Sequence, residues 1–150
     1  MKKIFLTKTG LIKLEQEYQQ LTESRPDAVA NLKTAREMGD LSENAAYRVA
    51  RSKLSGIDSR LRYLAKILRQ AVVQEKPNDG RIGIGSNVKL EVNGKIINYE
   101  IVGSIESDLG NGKLSASSPV GKRLVGNMKG DEIRVIIPGG ETTYKILAVI

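Results

Sequence analysis

The chain contains no cysteine, no histidine and no tryptophan, and only one phenylalanine among its 150 residues. Without cysteine it forms no disulfide, and without cysteine and histidine it has no zinc site of the usual kind. The same absences exclude Ser-His-Asp and Cys-His nucleophile systems and a histidine general base. Composition alone therefore excludes most familiar enzyme chemistries.

Long apolar runs are also absent. No stretch approaches the roughly 20 consecutive apolar residues that a membrane-spanning helix needs. The basic start MKKIFLTKTG lacks the apolar run of a secretory signal peptide. We expect a monomeric cytoplasmic protein with no membrane partner.

Positive charge is in excess, with a formal net charge of +7. Residues 1–75 hold 14 Lys or Arg against 9 Asp or Glu, so most of the excess lies in the first half of the chain. A polyanionic partner is therefore expected to contact this half.

Before residue 75, apolar residues recur at intervals of three and four in two segments. The first series is Leu11, Leu14, Tyr18, Leu21, Ala28, Leu32 and Ala35. The second series is Tyr47, Ala50, Leu54, Ile57, Leu61, Leu64, Leu68 and Ala71. Two helices with one apolar stripe each and a short connection are expected to pack as an antiparallel coiled-coil hairpin. Arg25 falls out of the pattern, and Pro26 predicts a bend or local unwinding at residues 24–26.

From Ile82 onward the period changes to two, in runs such as NVKLEV, IINYEIV and EIRVIIP. These runs predict a small antiparallel sheet, with turns at Asn-Gly and Pro-Gly-Gly. Residues 118–126 predict one short helix, with Ser118 as its cap and Gly126 just past its end. The predicted fold class is α+β: a helical hairpin at residues 1–75, a linker at 76–83 and a sheet domain at 84–150.

The segment AREMGDLSENAAY, residues 35–47, interrupts the two helices with Gly39. Asp40 and Glu43 have the spacing of a capping box for the second helix, which would need no partner. Alternatively, two carboxylates on the tip of a long hairpin could enter another protein's active site. There they would help to hold a Mg²⁺ ion and position the water that attacks a phosphodiester.

Basic residues flank this predicted tip, with Lys33 and Arg36 before it and Arg48 and Arg51 after it. They could hold a nucleic-acid backbone while the carboxylates face a metal ion. An ordinary solvated helix face is the alternative.

The tip segment closely resembles the signature of the bacterial Gre transcript-cleavage factors. Further ordered matches, of the GreA type, extend over nearly the whole chain: TKTGLIKLEQEYQQL, RPDAV, NDGRIGIGSNVKL, SPVGKRLVG and PGGETTYKIL. The resemblance implies an FKBP-like sheet domain that docks at the rim of the secondary channel of bacterial RNA polymerase while the coiled coil enters the channel.

By this resemblance the chain is a transcription elongation factor and not itself an enzyme. Asp40 and Glu43 would help to bind the polymerase's Mg²⁺ and activate water, so that the polymerase cleaves the 3′ end of backtracked nascent RNA. The chain would need no cofactor of its own. The resemblance also implies that Arg36, Arg51 and the aromatic Tyr47 contact RNA or polymerase. Arg48, a basic residue on the same side of the tip as Arg51, is expected to contact them too.

The resemblance implies a docking segment at Ser118, Pro119, Leu124 and Gly126. One departure lies at the tip, because Ala46 stands where the family often has glutamate. Because this negative charge is missing, we expect the tip to act less strongly on the metal ion. Both tip carboxylates are still present.

Three other functions remain open. A Gre-like protein could occupy the channel and inhibit polymerase without stimulating cleavage. An FKBP-like sheet could be a prolyl isomerase, although the only aromatic residues after residue 75 are Tyr99 and Tyr144. The chain could also be a coiled-coil adaptor.

Overall fold

The computed structural model describes residues 2–40 and 43–150. Its helices are α1 (Lys8–Arg36), α2 (Ala45–Gln70) and α3 (Pro119–Leu124). Its strands are β1 (Ile4–Leu6), β2 (Ala71–Val73), β3 (Asn87–Val92), β4 (Lys95–Val102), β5 (Lys113–Ser115), β6 (Glu132–Ile137) and β7 (Gly140–Val149). Short 3-10 turns lie at Ser104–Glu106 and Leu109–Asn111. Within the described residues no helix is long and apolar enough to cross a membrane.

Contacts divide the chain into two units. One is Ile12–Gln70, and the other combines Met1–Leu11 with Ala71–Ile150. The start of the chain belongs with the sheet because β1 pairs in parallel with β2, from Ile4 opposite Ala71 to Leu6 opposite Val73. The domain boundaries at residues 75 and 84 stay predictions; the contacts change from one unit to the other after residues 11 and 70.

The helical unit is the predicted hairpin of α1 and α2. Its most buried side chains are Ala28, Ala35, Ile57 and Leu64, which belong to the predicted stripes, and Ile67, which does not. The other predicted stripe positions on the two helices are half-buried, except Tyr18, which is 38% exposed. The apolar stripes therefore supply the packing that holds the hairpin together.

Helix α1 continues through Pro26, so the local unwinding expected at residues 24–26 is not seen. Proline removes one backbone donor from the helix. Two hydroxyls in this region bond to backbone carbonyls of the same helix: Thr22 Oγ1 donates to Tyr18 O at 2.8 Å, and Ser24 Oγ donates to Leu21 O at 3.1 Å. The helix thus continues through residue 26 without the backbone bond that a residue with an N–H would make there.

Ion pairs join the helices of the hairpin. Arg25, which falls out of the apolar pattern, donates to both carboxylate oxygens of Asp58 at 2.6 and 3.3 Å. Arg60 donates to both oxygens of Glu17 at 2.6 and 2.9 Å. Paired forks of this kind add directional specificity, so they favour one register of α1 against α2.

These ion pairs predict a pH dependence of hairpin stability. Hydrogen bonding by Arg25 lowers the pKa of Asp58, and hydrogen bonding by Arg60 lowers the pKa of Glu17, from ordinary values of 3.8 and 4.5. A carboxyl whose pKa is lower in the folded state stabilises the fold above the ordinary pKa. That stabilisation is lost as the pH falls through the folded pKa.

We therefore expect Glu17→Gln/Asp58→Asn to be slightly less stable than the unmodified chain at about pH 7, because exposed ion pairs contribute little. The difference should shrink as the pH falls below about 4. Urea denaturation followed by circular dichroism at several pH values measures it. Glu15→Gln/Asp27→Asn, which removes two exposed carboxylates of α1, is the control. If both variants lost the same free energy of unfolding relative to the unmodified chain at every pH, the prediction would be contradicted.

The sheet has the strand order β5-β4-β3-β7-β6. All neighbours pair antiparallel except β4 and β5, which are parallel, so the predicted antiparallel sheet is mixed at its β5 edge. The Asn93-Gly94 turn between β3 and β4 has positive φ at both residues, 51° and 77°, as a type I′ hairpin turn requires. The core of this unit consists of Ile82, Val88, Leu90, Ile101, Leu114, Leu124, Ile133, Val135 and Ile146.

Helix α3 begins as the sequence predicts. Ser118 Oγ accepts from Gly121 N at 3.0 Å, Pro119 is the first helical residue, and Gly126 follows the end with φ 88°. Gly121 is needed for a close approach, since a Cβ there would overlap the carbonyl oxygen of Ser115. The cap and the glycine together hold α3 against the end of β5.

The carboxylate of Glu106 connects the start of α1 with the loop after β4. Its Oε2 accepts from Thr7 N and Gly103 N, both at 3.0 Å, and its Oε1 accepts from Thr7 Oγ1 at 2.5 Å. Thr7 Oγ1 in turn accepts from Gly10 N at 3.0 Å, which caps the first turn of α1. One side chain thus satisfies three donors from segments far apart in the sequence.

Candidate functional site

The first helix ends immediately before the predicted acidic tip. Glu37 N lies 3.2 Å from both Lys33 O and Thr34 O, and Met38 N donates to Ala35 O at 3.2 Å. Gly39 follows with φ 121°, a conformation that side chains with a Cβ rarely adopt. A Cβ at Gly39 would meet no atom within 4 Å, so the glycine is needed for its backbone conformation and not for space.

Asp40 and Glu43 both lie exposed in the connection between α1 and α2. Leu41 and Ser42, between them, lie outside the described residues. Because α2 begins at Ala45, the N-cap position belongs to Asn44, and the capping box predicted for Asp40 and Glu43 is wrong. The two carboxylates thus precede the helix.

Asn44 is a residue of this site that the sequence patterns do not single out. Its Oδ1 accepts from Tyr47 N at 3.0 Å, which is the bond of a helix N-cap. Its Nδ2 donates to Ala35 O at 2.7 Å, so the same side chain also reaches the end of α1. Asparagine is among the best N-cap residues, and this preference was the one available signal for the first of these bonds.

The predicted basic residues flank the tip on both helices. Lys33 and Arg36 lie in the last turn of α1, and Arg48 and Arg51 are exposed on the first two turns of α2. Arg36 Cζ lies 6.0 Å from the centroid of the Tyr47 ring, at the limit of a cation–π contact. Tyr47 is half-buried and contributes to the end of the apolar stripe.

An apolar groove of about 520 Å³ lies beside the tip, between α1 and α2. Its walls include Met38 and Val49, each 69% exposed, together with Ala46, the residue where the resemblance implies a glutamate. Lys53 is the one charged residue that lines it among the described residues. The substitution at residue 46 therefore leaves this side of the tip apolar.

Metal binding at the tip would involve two carboxylates. Mg²⁺ prefers oxygen ligands and is usually held by one or two carboxylates with waters and phosphate oxygens. Asp40 and Glu43 fit that donor set in part. In the described part of the chain no group of three Asp, Glu, His or Cys residues could hold a metal ion, so further ligands would come from a partner.

The four predicted docking residues lie in the sheet unit, around α3. Ser118 caps the helix, Pro119 is exposed and Gly126 is exposed at the helix end. Leu124 is fully buried in the core, so it can serve docking only by holding α3 in place. The structure thus separates the tip residues and the docking residues into two units.

Family models cover both units. A model described as "Transcription elongation factor, N-terminal" matches residues 4–73, and one described as "Transcription elongation factor, GreA/GreB, C-term" matches residues 76–150.

Individual relatives align over almost their full length. The chain is 42% identical to transcription elongation factor GreA of Geobacillus kaustophilus, covering 96% of this chain and 94% of that protein. It is 41% identical to GreA of Ralstonia nicotianae, with 99% and 98% covered. Among solved structures, GreA factor homolog 1 (Gfh1) of Thermus thermophilus is 28% identical, with 99% of both chains covered and a TM-score of 0.47. The resemblance noted from the tip and its ordered matches is confirmed, and this chain belongs to the GreA/GreB family of transcription elongation factors.

Proposed function

We propose that this protein is a cytoplasmic factor that inserts its α1–α2 hairpin into the secondary channel of bacterial RNA polymerase and stimulates cleavage of backtracked RNA. The observation that carries the proposal is the tip: two exposed carboxylates, Asp40 and Glu43, in the short connection between two long helices. Membership of the GreA/GreB family supports the polymerase as the partner.

The tip carboxylates supply part of a metal-binding and water-positioning site. In the complex, Asp40 and Glu43 would hold a Mg²⁺ ion together with polymerase groups and would accept hydrogen bonds from the attacking water. The ion would stabilise the negative charge that develops on the phosphate oxygens. Because the tip offers too few ligands on its own, the cleavage belongs to the polymerase, and this protein is its activator and not an independent enzyme.

The basic residues around the tip hold the RNA. Arg36, Arg48 and Arg51 are exposed and of the right charge to contact phosphates near the 3′ end. Tyr47 is half-buried with Arg36 near its ring, so its main contribution is to the shape of the tip.

The sheet unit provides a docking surface around α3. Pro119 and Gly126 are exposed there, and Ser118 and Leu124 hold the helix in place. Lys122 and Arg123 on the same helix are exposed and offer positive charge to an acidic partner surface. Docking at this surface would account for polymerase binding that does not depend on the tip.

The test is a stalled, backtracked bacterial elongation complex with end-labelled RNA and Mg²⁺. Added protein should shorten the RNA from its 3′ end and return the complex to elongation. If the protein binds the complex and slows nucleotide addition without any cleavage, it is a channel-blocking factor instead. If it does not bind polymerase at all, the proposed partner is wrong.

A further inference from the structure

The side chain of Asn44 contacts both of the helix ends that flank the two carboxylates. Asn44 Nδ2 donates to Ala35 O at 2.7 Å, and Asn44 Oδ1 accepts from Tyr47 N at 3.0 Å. Ala35 is in the last turn of α1, and its carbonyl oxygen also accepts from Met38 N at 3.2 Å. Asn44 therefore bridges the end of α1 and the start of α2, with residues 36–43 between the two contacts.

We propose that Asn44 is a positioning residue for Asp40 and Glu43, because its amide holds together the two helix ends that flank these carboxylates. This inference rests on the proposed function, since the carboxylates must be held in a fixed geometry only if they share a metal ion with polymerase. The bond to Ala35 O is partly buried, and its donor and acceptor atoms both lie outside the carboxylates.

The two bonds of Asn44 have separable roles. The bond from Oδ1 starts α2, and serine or aspartate at an N-cap position can replace it. The bond from Nδ2 joins the two helices. Serine is too short to reach Ala35 O, and aspartate has no donor there when ionised. Substitutions at this position can therefore retain the cap and remove only the bridge.

Loss of the bridge should affect catalysis through geometry. Misplacement of a catalytic group by about 1 Å can cost about 100-fold in rate. For Asn44→Ser and Asn44→Asp we expect cleavage stimulation to fall at least about tenfold. The Mg²⁺ concentration needed for half-maximal cleavage should rise, and polymerase binding should be unchanged.

The experiment compares Asn44→Ser, Asn44→Asp and Asn44→Ala in the backtracked-complex assay, with a Mg²⁺ titration and a binding measurement. Asn31→Ser, at an exposed asparagine of α1, is the control. The serine and aspartate variants should lose cleavage alike and keep their helix content by circular dichroism. The alanine variant should lose cleavage and also some helical stability, since it lacks the cap.

A purely capping role gives the opposite pattern. In that case the serine and aspartate variants would cleave as the unmodified protein does, and only Asn44→Ala would be impaired, which would overturn the inference. Failure of the proposed function is distinct, because then the unmodified protein itself would not stimulate cleavage.

Hydrogen exchange of the free protein tests the bridge without polymerase. The backbone amides of Glu37 and Met38, which bond to carbonyls in the last turn of α1, should exchange at least about fivefold faster in Asn44→Ser and Asn44→Asp than in Asn31→Ser, because a lost hydrogen bond of typical strength permits opening. Equal exchange rates would overturn the inference, whatever the outcome of the cleavage assay.

Discussion

A chain with Asp40→Asn and Glu43→Gln should bind the backtracked elongation complex normally and leave its RNA uncut. Both substitutions keep the size of the side chain and remove the charge that a Mg²⁺ ion requires. Removal of groups that stabilise charge in a transition state typically costs about 100- to 1,000-fold in rate. We expect a loss of at least about 100-fold in the stimulated cleavage rate, measured with end-labelled RNA at fixed Mg²⁺.

The matched control for this variant is Asp27→Asn/Glu37→Gln. It removes the same two charges from exposed acids of the hairpin that lie outside the carboxylate pair. The control should cleave at the unmodified rate if position matters and net charge does not. Unimpaired cleavage by the Asp40/Glu43 variant would reject a metal role for the tip, and equal losses in both variants would point to net charge.

Replacement of Glu106 by alanine should strongly destabilise the unit formed by the sheet and the first residues of the chain. The carboxylate accepts three hydrogen bonds, from Thr7 N, Thr7 Oγ1 and Gly103 N. Alanine would leave these partly buried donors without their acceptor. We expect a loss of about 2–4 kcal/mol in the free energy of unfolding, since bonds to charged groups contribute more than neutral ones. Urea denaturation of the full chain measures this loss.

Glu106→Gln separates geometry from charge. Glutamine can accept from the two backbone donors through one oxygen and donate to Thr7 Oγ1 through its nitrogen, so we expect about half of the loss. Glu132→Ala, at an exposed position of β6, is the control and should change stability by less than about 0.5 kcal/mol. A Glu106→Ala variant as stable as this control would show that water replaces the carboxylate without cost.

The fold was predictable where one period extends over a long segment. The intervals of three and four before residue 75 predicted both helices of the hairpin, and alternation after residue 82 predicted the strands of the sheet. The strands β1 and β5 have three residues each and are too short to establish a period. Each forms a parallel pair, so no hairpin turn in the sequence marks the pairing.

The tip was predictable in composition and less so in geometry. Gly39 and the two carboxylates could be identified because glycine ends helices and acids on a basic chain are conspicuous. The sequence pattern places the start of α2 too early, since Asp40 and Glu43 have capping-box spacing and Asn44 is an equally good cap. The bond from Asn44 to Ala35 depends on how the two helices meet, which one-dimensional patterns do not contain.

Contacts at both ends of the hairpin and along it fix the length of its two helices relative to each other. The β1–β2 pair joins the chain just before α1 to the chain just after α2, and Asn44 joins the opposite ends of the helices. The ion pairs Arg25–Asp58 and Arg60–Glu17 join the two helices between these ends. Seven residues added to each helix would lengthen the hairpin by about 10 Å and keep the partners of both ion pairs opposite each other. The same insertion in one helix alone would move the partners of these ion pairs apart. The length of the hairpin can therefore change only if both helices change together.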